Sequence, residues 1–312
     1  MSSWASLRLG WRGSMTRSRR ASSGPSRQRH SPGSPSNTLR ARARCGLRCL
    51  LREASLLMTF CLGMRCEEGL LAIADTRITS GTELSTAKKI SIHQYENHSM
   101  FILTSGLRSI RDKALTYFEE RLQESSGELK KMYMAANVLA EELRRVRRED
   151  LHWLMEGGLF FDLHCIFGGQ LEGDDQHRLY LIYPEGNWVE VRTGAPYVII
   201  GESRYGKPIL DRVWRHDQSL FEALRVGLLS FDATRTSASD VDYPVDAVLY
   251  RQGSFQMQEA RFDEEALTPL QRYWQGAMQH AVAGATPTVQ PLYDALNIAP
   301  AAHTHFWDNS AG

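Results

Sequence analysis

Apolar and polar positions fall into distinct patterns along this chain. Phe60, Leu62 and Met64 alternate with smaller or polar residues, the period-two signature of a half-buried strand. Glu67-Glu68-Gly69 reads as a turn, and Leu70–Ala74 as a more fully buried strand. A short strand starts at Lys88-Lys89-Ile90-Ser91-Ile92, and another runs over Ser99–Thr104 and stops at Ser105-Gly106. The spacing then becomes helical, with Leu107, Ile110, Ala114 and Phe118 in one segment and Met132, Ala136, Leu139, Leu143 and Val146 in the next. Strands return at Leu159–Phe167, Arg178–Tyr183, Trp188–Arg192 and Tyr197–Gly201. A helix-like segment from about Tyr205 to Arg215 precedes a helix marked by Leu220, Leu224, Leu228 and Phe231. Val245–Tyr250 and Phe255–Ala260 form a hairpin around Arg251-Gln252-Gly253, and Leu267, Leu270, Trp274, Met278 and Ala281 mark a last helix.

Strands and helices segregate into blocks in this order, which predicts a layered α+β domain rather than a parallel βαβ sheet. There is no internal repeat. Gly168-Gly169 with Gly173 is too sparse for a phosphate-cradling loop, and no helix follows it as such a loop requires. The domain is expected to span 58–284, with a loosely ordered Ala/Pro/Thr-rich tail over 285–312.

Residues 1–57 are rich in Ser, Arg, Pro and Gly, without apolar periodicity, a composition that buries too little surface to offset ordering entropy. They are expected to form a disordered extension. Three origins fit it: a start codon set too far upstream, a cleaved pro-segment, or an Arg- and Ser-rich transit peptide. It is no secretory signal, because Arg48, Arg52 and Glu53 interrupt the apolar stretch Leu47–Leu57, and no run approaches the roughly 20 apolar residues of a membrane span.

Charge separates head from body. Twelve of the 37 basic residues lie within residues 1–52, which contain no acid, leaving 25 basic against 36 acidic residues and a net charge of −11 beyond them. An acidic body argues against nonspecific nucleic-acid binding, which needs a basic surface to neutralise phosphates. The five cysteines, Cys45, Cys49, Cys61, Cys66 and Cys165, lack the pairing of a disulfide framework or the ligand spacing of a zinc site. A reducing cytoplasm is the expected compartment.

The candidate chemistry starts at Met58-Thr59. If translation begins at Met58 and that Met is removed, Thr59 carries a hydroxyl nucleophile and a free amine on one residue, so no separate histidine base is needed. A strand, a turn and a second strand ending in Asp75-Thr76-Arg77 follow.

Several stretches carry a resemblance: Met58-Thr59-Phe60-Cys61, Ala74-Asp75-Thr76-Arg77, Leu103-Thr104-Ser105-Gly106, and above all Gly201-Glu202-Ser203-Arg204-Tyr205-Gly206-Lys207-Pro208. Ser230-x-Asp232-x-Thr234, followed by Tyr243-Pro244-Val245-Asp246, adds to it. From Met58 to about Ala260 the chain resembles the proteasome β-subunit and HslV family of N-terminal nucleophile hydrolases, and within it the bacterial Anbu type. The resemblance implies a four-layer αββα sandwich with Thr59 at the head of the first strand. It also implies a threonine peptidase or amidase that attacks a peptide or protein substrate and uses no metal or organic cofactor. By the same resemblance Thr59 is the nucleophile, Asp75 orients the active-site lysine and the amine, Lys89 is that lysine, and the Gly106 backbone N–H stabilises the oxyanion. The same residues have plainer readings: a strand-end turn at Asp75-x-Arg77, a charged strand edge at Lys88-Lys89, a tight strand-to-helix turn at Gly106.

The chain departs from the family pattern in three places. The Thr-to-Lys spacing is slightly short, which leaves Lys88 as a rival to Lys89. The serine beside the terminal amine is replaced by Glu202 or offset to Ser203. The auxiliary serine–aspartate pair falls within Thr236–Asp242, where Ser237 and Asp240 are the candidates. A homo-oligomer, closed as a ring or open as a spiral, is expected, with the mixed-charge stripe Glu141–Arg148 as a solvated face or subunit contact. A catalytically weak scaffold of the same fold is the alternative. An ATP-driven unfoldase is a partner the sequence neither requires nor excludes, and no membrane partner is expected.

Overall fold

A computed structural model of the chain describes residues 59–80, 83–124 and 128–296. The Arg-rich extension 1–57, with Cys45 and Cys49, lies outside the described residues, as does the tail beyond 296. Two five-stranded antiparallel sheets carry the fold. In the first, β10 (Tyr197–Gly201), β1 (Phe60–Cys66), β2 (Gly69–Asp75), β11 (Val245–Arg251) and β12 (Met257–Phe262) lie in that order. In the second the order is β5 (Ile90–Tyr95), β6 (His98–Gly106), β7 (Leu163–Gln170), β8 (Arg178–Ile182) and β9 (Trp188–Glu190). Helices α1 (Arg108–Glu124) and α2 (Met132–Glu156) pack on the second sheet, while α3 (Lys207–Val213) and α4 (Leu220–Ser237) pack on the first. The expected α+β four-layer sandwich is the observed one.

Period two along β1 explains the layering. Phe60, Leu62 and Met64 face Leu210, Phe231 and the rest of the helix-side core, whereas Cys61 faces the layer between the sheets with Leu70, Ala72, Phe101, Ile166 and Tyr250. Every residue of β1 and β2 is buried because both faces are covered. The sheets approach closely at Gly63, where a Cβ would lie 2.7 Å from Ile166 Cγ2. Each large apolar side chain fixed in these layers contributes roughly 1.5–3 kcal/mol.

Several elements differ from expectation. The strand expected to start at Leu159 starts at Leu163, because α2 runs on to Glu156 and places Leu151 and Leu154 against the same core. The expected strand Trp188–Arg192 ends at Glu190, and the helix-like segment at 205–215 is helical only over Lys207–Val213. The last hairpin strand starts at Met257, since Gly253 and Phe255 adopt φ of +72° and +53° in a longer turn. A hairpin of β3 (Arg77–Ser80) and β4 (Glu83–Thr86) carried no apolar alternation and was not foreseen. Helix α5 (Glu264–Gly284) is followed by α6 (Thr286–Asp294), helical where a loose tail is expected. Pro287 is tolerated there in the first turn, where its missing N–H has no intrahelical partner to lose. The Glu141–Arg148 stripe is partly spent within the chain: buried Glu142 meets Arg121 and Arg145 at 3.7 and 3.4 Å, and Arg144 donates to the Gly186 carbonyl. Among the described residues no helix is long and apolar enough to cross a membrane.

At the far end of β1 the buried His177 ring bonds to the Cys66 carbonyl at 2.8 Å through Nε2. Burial, reinforced by the nearby Arg65, pushes its pKa down from 6.5 to about 4. A folded value below the unfolded one means the unfolded chain takes up the proton first, so stability is full above pH 6.5 and is lost as pH falls towards 4. Urea denaturation is expected to show about 2 kcal/mol less stability at pH 5 than at pH 8 from this group alone. His177→Gln is expected to flatten that part of the profile; an unchanged slope would contradict it.

Candidate active site

Antiparallel connectivity brings four chain positions to one end of the sandwich. Thr59 leads into β1, Asp75 ends β2, Lys89 precedes β5, and Gly106 ends β6. The Thr104 N–H donates to the Lys89 carbonyl at 3.3 Å, which ties the start of β5 to the end of β6.

The side chains of the first three meet. Lys89 Nζ lies 2.5 Å from Thr59 Oγ1 and 2.8 Å from Asp75 Oδ1. The Thr59 hydroxyl donates to the same Oδ1 at 2.7 Å, and the Phe60 N–H does so at 2.8 Å. All three residues are buried, Asp75 completely. Its Oδ2 has no partner among the described residues, so Oδ1 alone holds three donors. Burial pushes the Asp75 carboxyl upward, and the Lys89 ammonium with the three hydrogen bonds pulls it back. Lys88 turns away: its ammonium meets Glu259 at 2.5 Å on a half-exposed surface. Successive residues of an extended segment point to opposite sides, so only one of the two lysines can face Thr59.

Cys61 is the other nucleophile nearby. Its thiol sits 3.8 Å from Thr59 Oγ1 and 3.6 Å from the Thr104 carbonyl. Burial pushes its pKa up to about 12, so it remains a neutral thiol and a poor competitor. Thr59 Oγ1 thus accepts from a cation while donating to a carboxylate, the polarisation expected of a hydroxyl prepared for proton loss.

The remaining candidates divide. Gly106 turns from β6 towards α1 at φ +134°, where a Cβ would lie 2.1 Å from the Asp162 carbonyl oxygen. Glu202 touches Thr59 through its backbone, donating N–H to the Thr59 carbonyl at 2.7 Å. Its buried carboxylate is bound by Arg204, whose Nη2 and Nε lie at 2.6 and 3.0 Å and hold it below the usual carboxylate range. Ser237 is exposed at the end of α4 and Asp240 lies in the following turn; neither has a hydrogen bond to Thr59, Asp75 or Lys89. Of this stretch it is Asp242 that reaches the end of β2, where its Oδ2 accepts from Arg77 Nη1 at 3.0 Å. The Pro244 carbonyl also accepts from the Thr76 N–H and hydroxyl, at 3.1 and 2.8 Å. The signal for Asp242 was present: Arg77 needed an acid, and Tyr243-Pro244 stiffens the loop that delivers one.

A model of the proteasome-subunit family matches residues 59–240, starting at Thr59. Among solved structures, Anbu from Hyphomicrobium sp. strain MC1 is 33% identical, with 72% of this chain and 97% of that one covered and a TM-score of 0.64. Anbu from Yersinia bercovieri, described as an ancestral beta-subunit, is 31% identical over 72% and 97%, with a TM-score of 0.67. The helical assembly of the Anbu complex from Pseudomonas aeruginosa gives 27% identity over 72% and 96%, with a TM-score of 0.68. No curated protein matches the chain.

Gly201 closes the site from the β10 side at φ +85°, where a Cβ would sit 2.1 Å from the Thr59 carbonyl oxygen. Gly201→Ala is therefore expected to cost about 2 kcal/mol or more, through left-handed strain and displacement of Thr59. Thermal denaturation measures it; an unchanged Tm would contradict this geometry.

Proposed function

We propose that this chain, which belongs to the proteasome-subunit family, is a threonine-type N-terminal nucleophile hydrolase of peptide bonds. Thr59 acts as its first residue after Met58 is lost. The observation that carries the reading is the Lys89 ammonium 2.5 Å from the Thr59 hydroxyl oxygen, with Asp75 bound to both. The start of the family match at Thr59 supports it.

The steps follow from that contact. The free Thr59 amine takes the hydroxyl proton, and the neighbouring Lys89 charge favours the neutral, proton-accepting form of that amine. Oγ1 attacks the substrate carbonyl carbon, and the Gly106 N–H is assigned to the oxyanion. The tetrahedral adduct collapses, the leaving amine takes the proton from the Thr59 ammonium, and an ester remains on Oγ1. The amine next deprotonates water, which displaces the acyl group as a carboxylic acid and restores the hydroxyl. Asp75 holds Lys89 and Thr59 in register throughout, and no metal or organic cofactor enters any step.

The working unit is proposed to be a cytoplasmic homo-oligomer, ring or open spiral; the helical assembly of the Pseudomonas aeruginosa relative supports self-association. A second reading, a catalytically weak scaffold, draws support from the auxiliary serine: neither Ser203 nor Ser237 has a hydrogen bond to Thr59.

Protein translated from Met58 is expected to hydrolyse a fluorogenic peptide, whereas the 312-residue form, with its Thr59 amine in a peptide bond, is expected to be inactive. Hydrolysis by an uncleaved long form would defeat the mechanism. Thr59→Ala, Lys89→Ala and Asp75→Asn are each expected to lower kcat/KM by about 10²–10⁴-fold, with folding checked by circular dichroism. Lys88→Ala is expected to leave the rate within about twofold, since its charge is spent at the surface. In sedimentation velocity the Met58-start protein should run as an oligomer, and a clean monomer would remove both the oligomeric-peptidase and the scaffold readings.

A further inference from the structure

A strand at the margin of a sheet leaves one set of backbone donors and acceptors unpaired. Among the described residues β10 is such a margin, bonded only to β1. The bonds from Arg65 N to Pro196 O and from Glu202 N to Thr59 O fix its phase. Pro196, Val198, Ile200 and Glu202 turn their backbone groups towards β1, so Tyr197, Ile199 and Gly201 turn theirs outward. No described residue bonds to those outward groups.

The opposite margin of the same sheet is defended. β12 carries Glu259, ion-paired with Lys88, and Arg261, ion-paired with Asp246. β10 reads Tyr-Val-Ile-Ile-Gly, apolar and uncharged, with none of the charged blocking that edge strands ordinarily show.

Beside this bare edge, between β10 and α3, lies a groove of about 520 Å³. Ile199, Leu210 and Trp214 give it an apolar lining, and Lys207 and Arg215 supply cations. Its one acid, Asp211, is already engaged by Lys207 Nζ at 2.9 Å and by the Tyr197 hydroxyl. The Arg215 guanidinium bonds to the Trp214, Asp211 and Arg212 carbonyls and, among the described residues, to no carboxylate.

We propose that this groove binds an extended acidic peptide segment as an added strand on β10, with backbone bonds to Tyr197, Ile199 and Gly201 and a carboxylate side chain on Arg215. Backbone pairing would supply affinity, and the slot beside it would select alternate side chains. A guanidinium held only by carbonyls, with no carboxylate beside it among the described residues, favours an acidic occupant. A second copy aligned edge to edge would instead bring the same cations together. The inference rests on the edge and the groove, and stands whether or not Thr59 is a nucleophile.

The test uses the full chain carrying Thr59→Ala, so that no probe is cut, and fluorescence anisotropy with three labelled peptides. These are an alternating Val-Glu hexapeptide, its Val-Lys counterpart, and a Val-Glu peptide N-methylated at alternate residues. The Val-Glu peptide is expected to bind, with the other two at least about tenfold weaker. Ile199→Pro removes one outward donor and leaves the β1 ladder whole, as edge strands allow, so it should weaken Val-Glu binding about tenfold or more. Arg215→Glu should reverse the preference between the Glu and Lys peptides, which keeps the proposal testable if the proline variant does not fold. Equal binding of all three peptides, undiminished binding to Ile199→Pro, or no binding of Val-Glu at about 100 μM would overturn the proposal. An oligomer that dissociates in Ile199→Pro without any peptide binding would also overturn it, assigning the edge to a second copy.

Discussion

The site depends on one buried ion pair. Lys89 and Asp75 lie 2.8 Å apart with almost no solvent access, and such a pair gains little net stability because both charges lose water. Removing one partner is another matter, since the charge left behind has no water and no partner to meet it, at about 3–5 kcal/mol. Further hydrogen bonds offset the loss of water, and the Phe60 N–H supplies one to Asp75. The Thr59 hydroxyl then sits between cation and carboxylate, its position dictated by the pair. In the proposed reaction the pair orients the nucleophile and biases the amine, and it takes no part in bond making.

Much of this was legible in the chain. Alternation at Phe60, Leu62 and Met64 gave the first strand but read as half-buried; its other face is covered by the second sheet, a contact between distant parts of the chain that the alternation does not carry. The helical spacing through Met132–Val146 placed α2, although the charges at Glu149 and Asp150 masked its continuation through Leu151 and Leu154. The choice between Lys88 and Lys89 was not legible, because neighbouring residues of an extended segment differ only in the side they face. The direction of each side chain follows from the pairing of β5 with β6, a contact between distant parts of the sequence. The family resemblance led to Ser237 and Asp240, whereas Asp242 reaches Arg77 through a loop held by the Thr76–Pro244 bonds.

Backbone freedom at two glycines serves the same end of the molecule. Gly106 and Gly201 occupy conformations that other residues avoid, and each brings a carbonyl within the space a side chain would fill. Gly201 also stands where β10 leaves the sheet, so one residue borders both Thr59 and the open edge beside α3. The first sheet therefore has a charged, ion-paired margin at β12 and an uncharged one at β10, and Thr59 lies one strand in from the uncharged side.

The most direct measurement is intact-protein mass spectrometry of the Met58-start protein after incubation with a peptide epoxyketone, a reagent that closes a ring only on a residue offering both a hydroxyl and a free amine. The proposed mechanism predicts a single adduct, mapped to Thr59 by peptide sequencing and lost in Lys89→Ala. No adduct on a protein whose first residue is shown to be Thr59, or an adduct elsewhere, would contradict it.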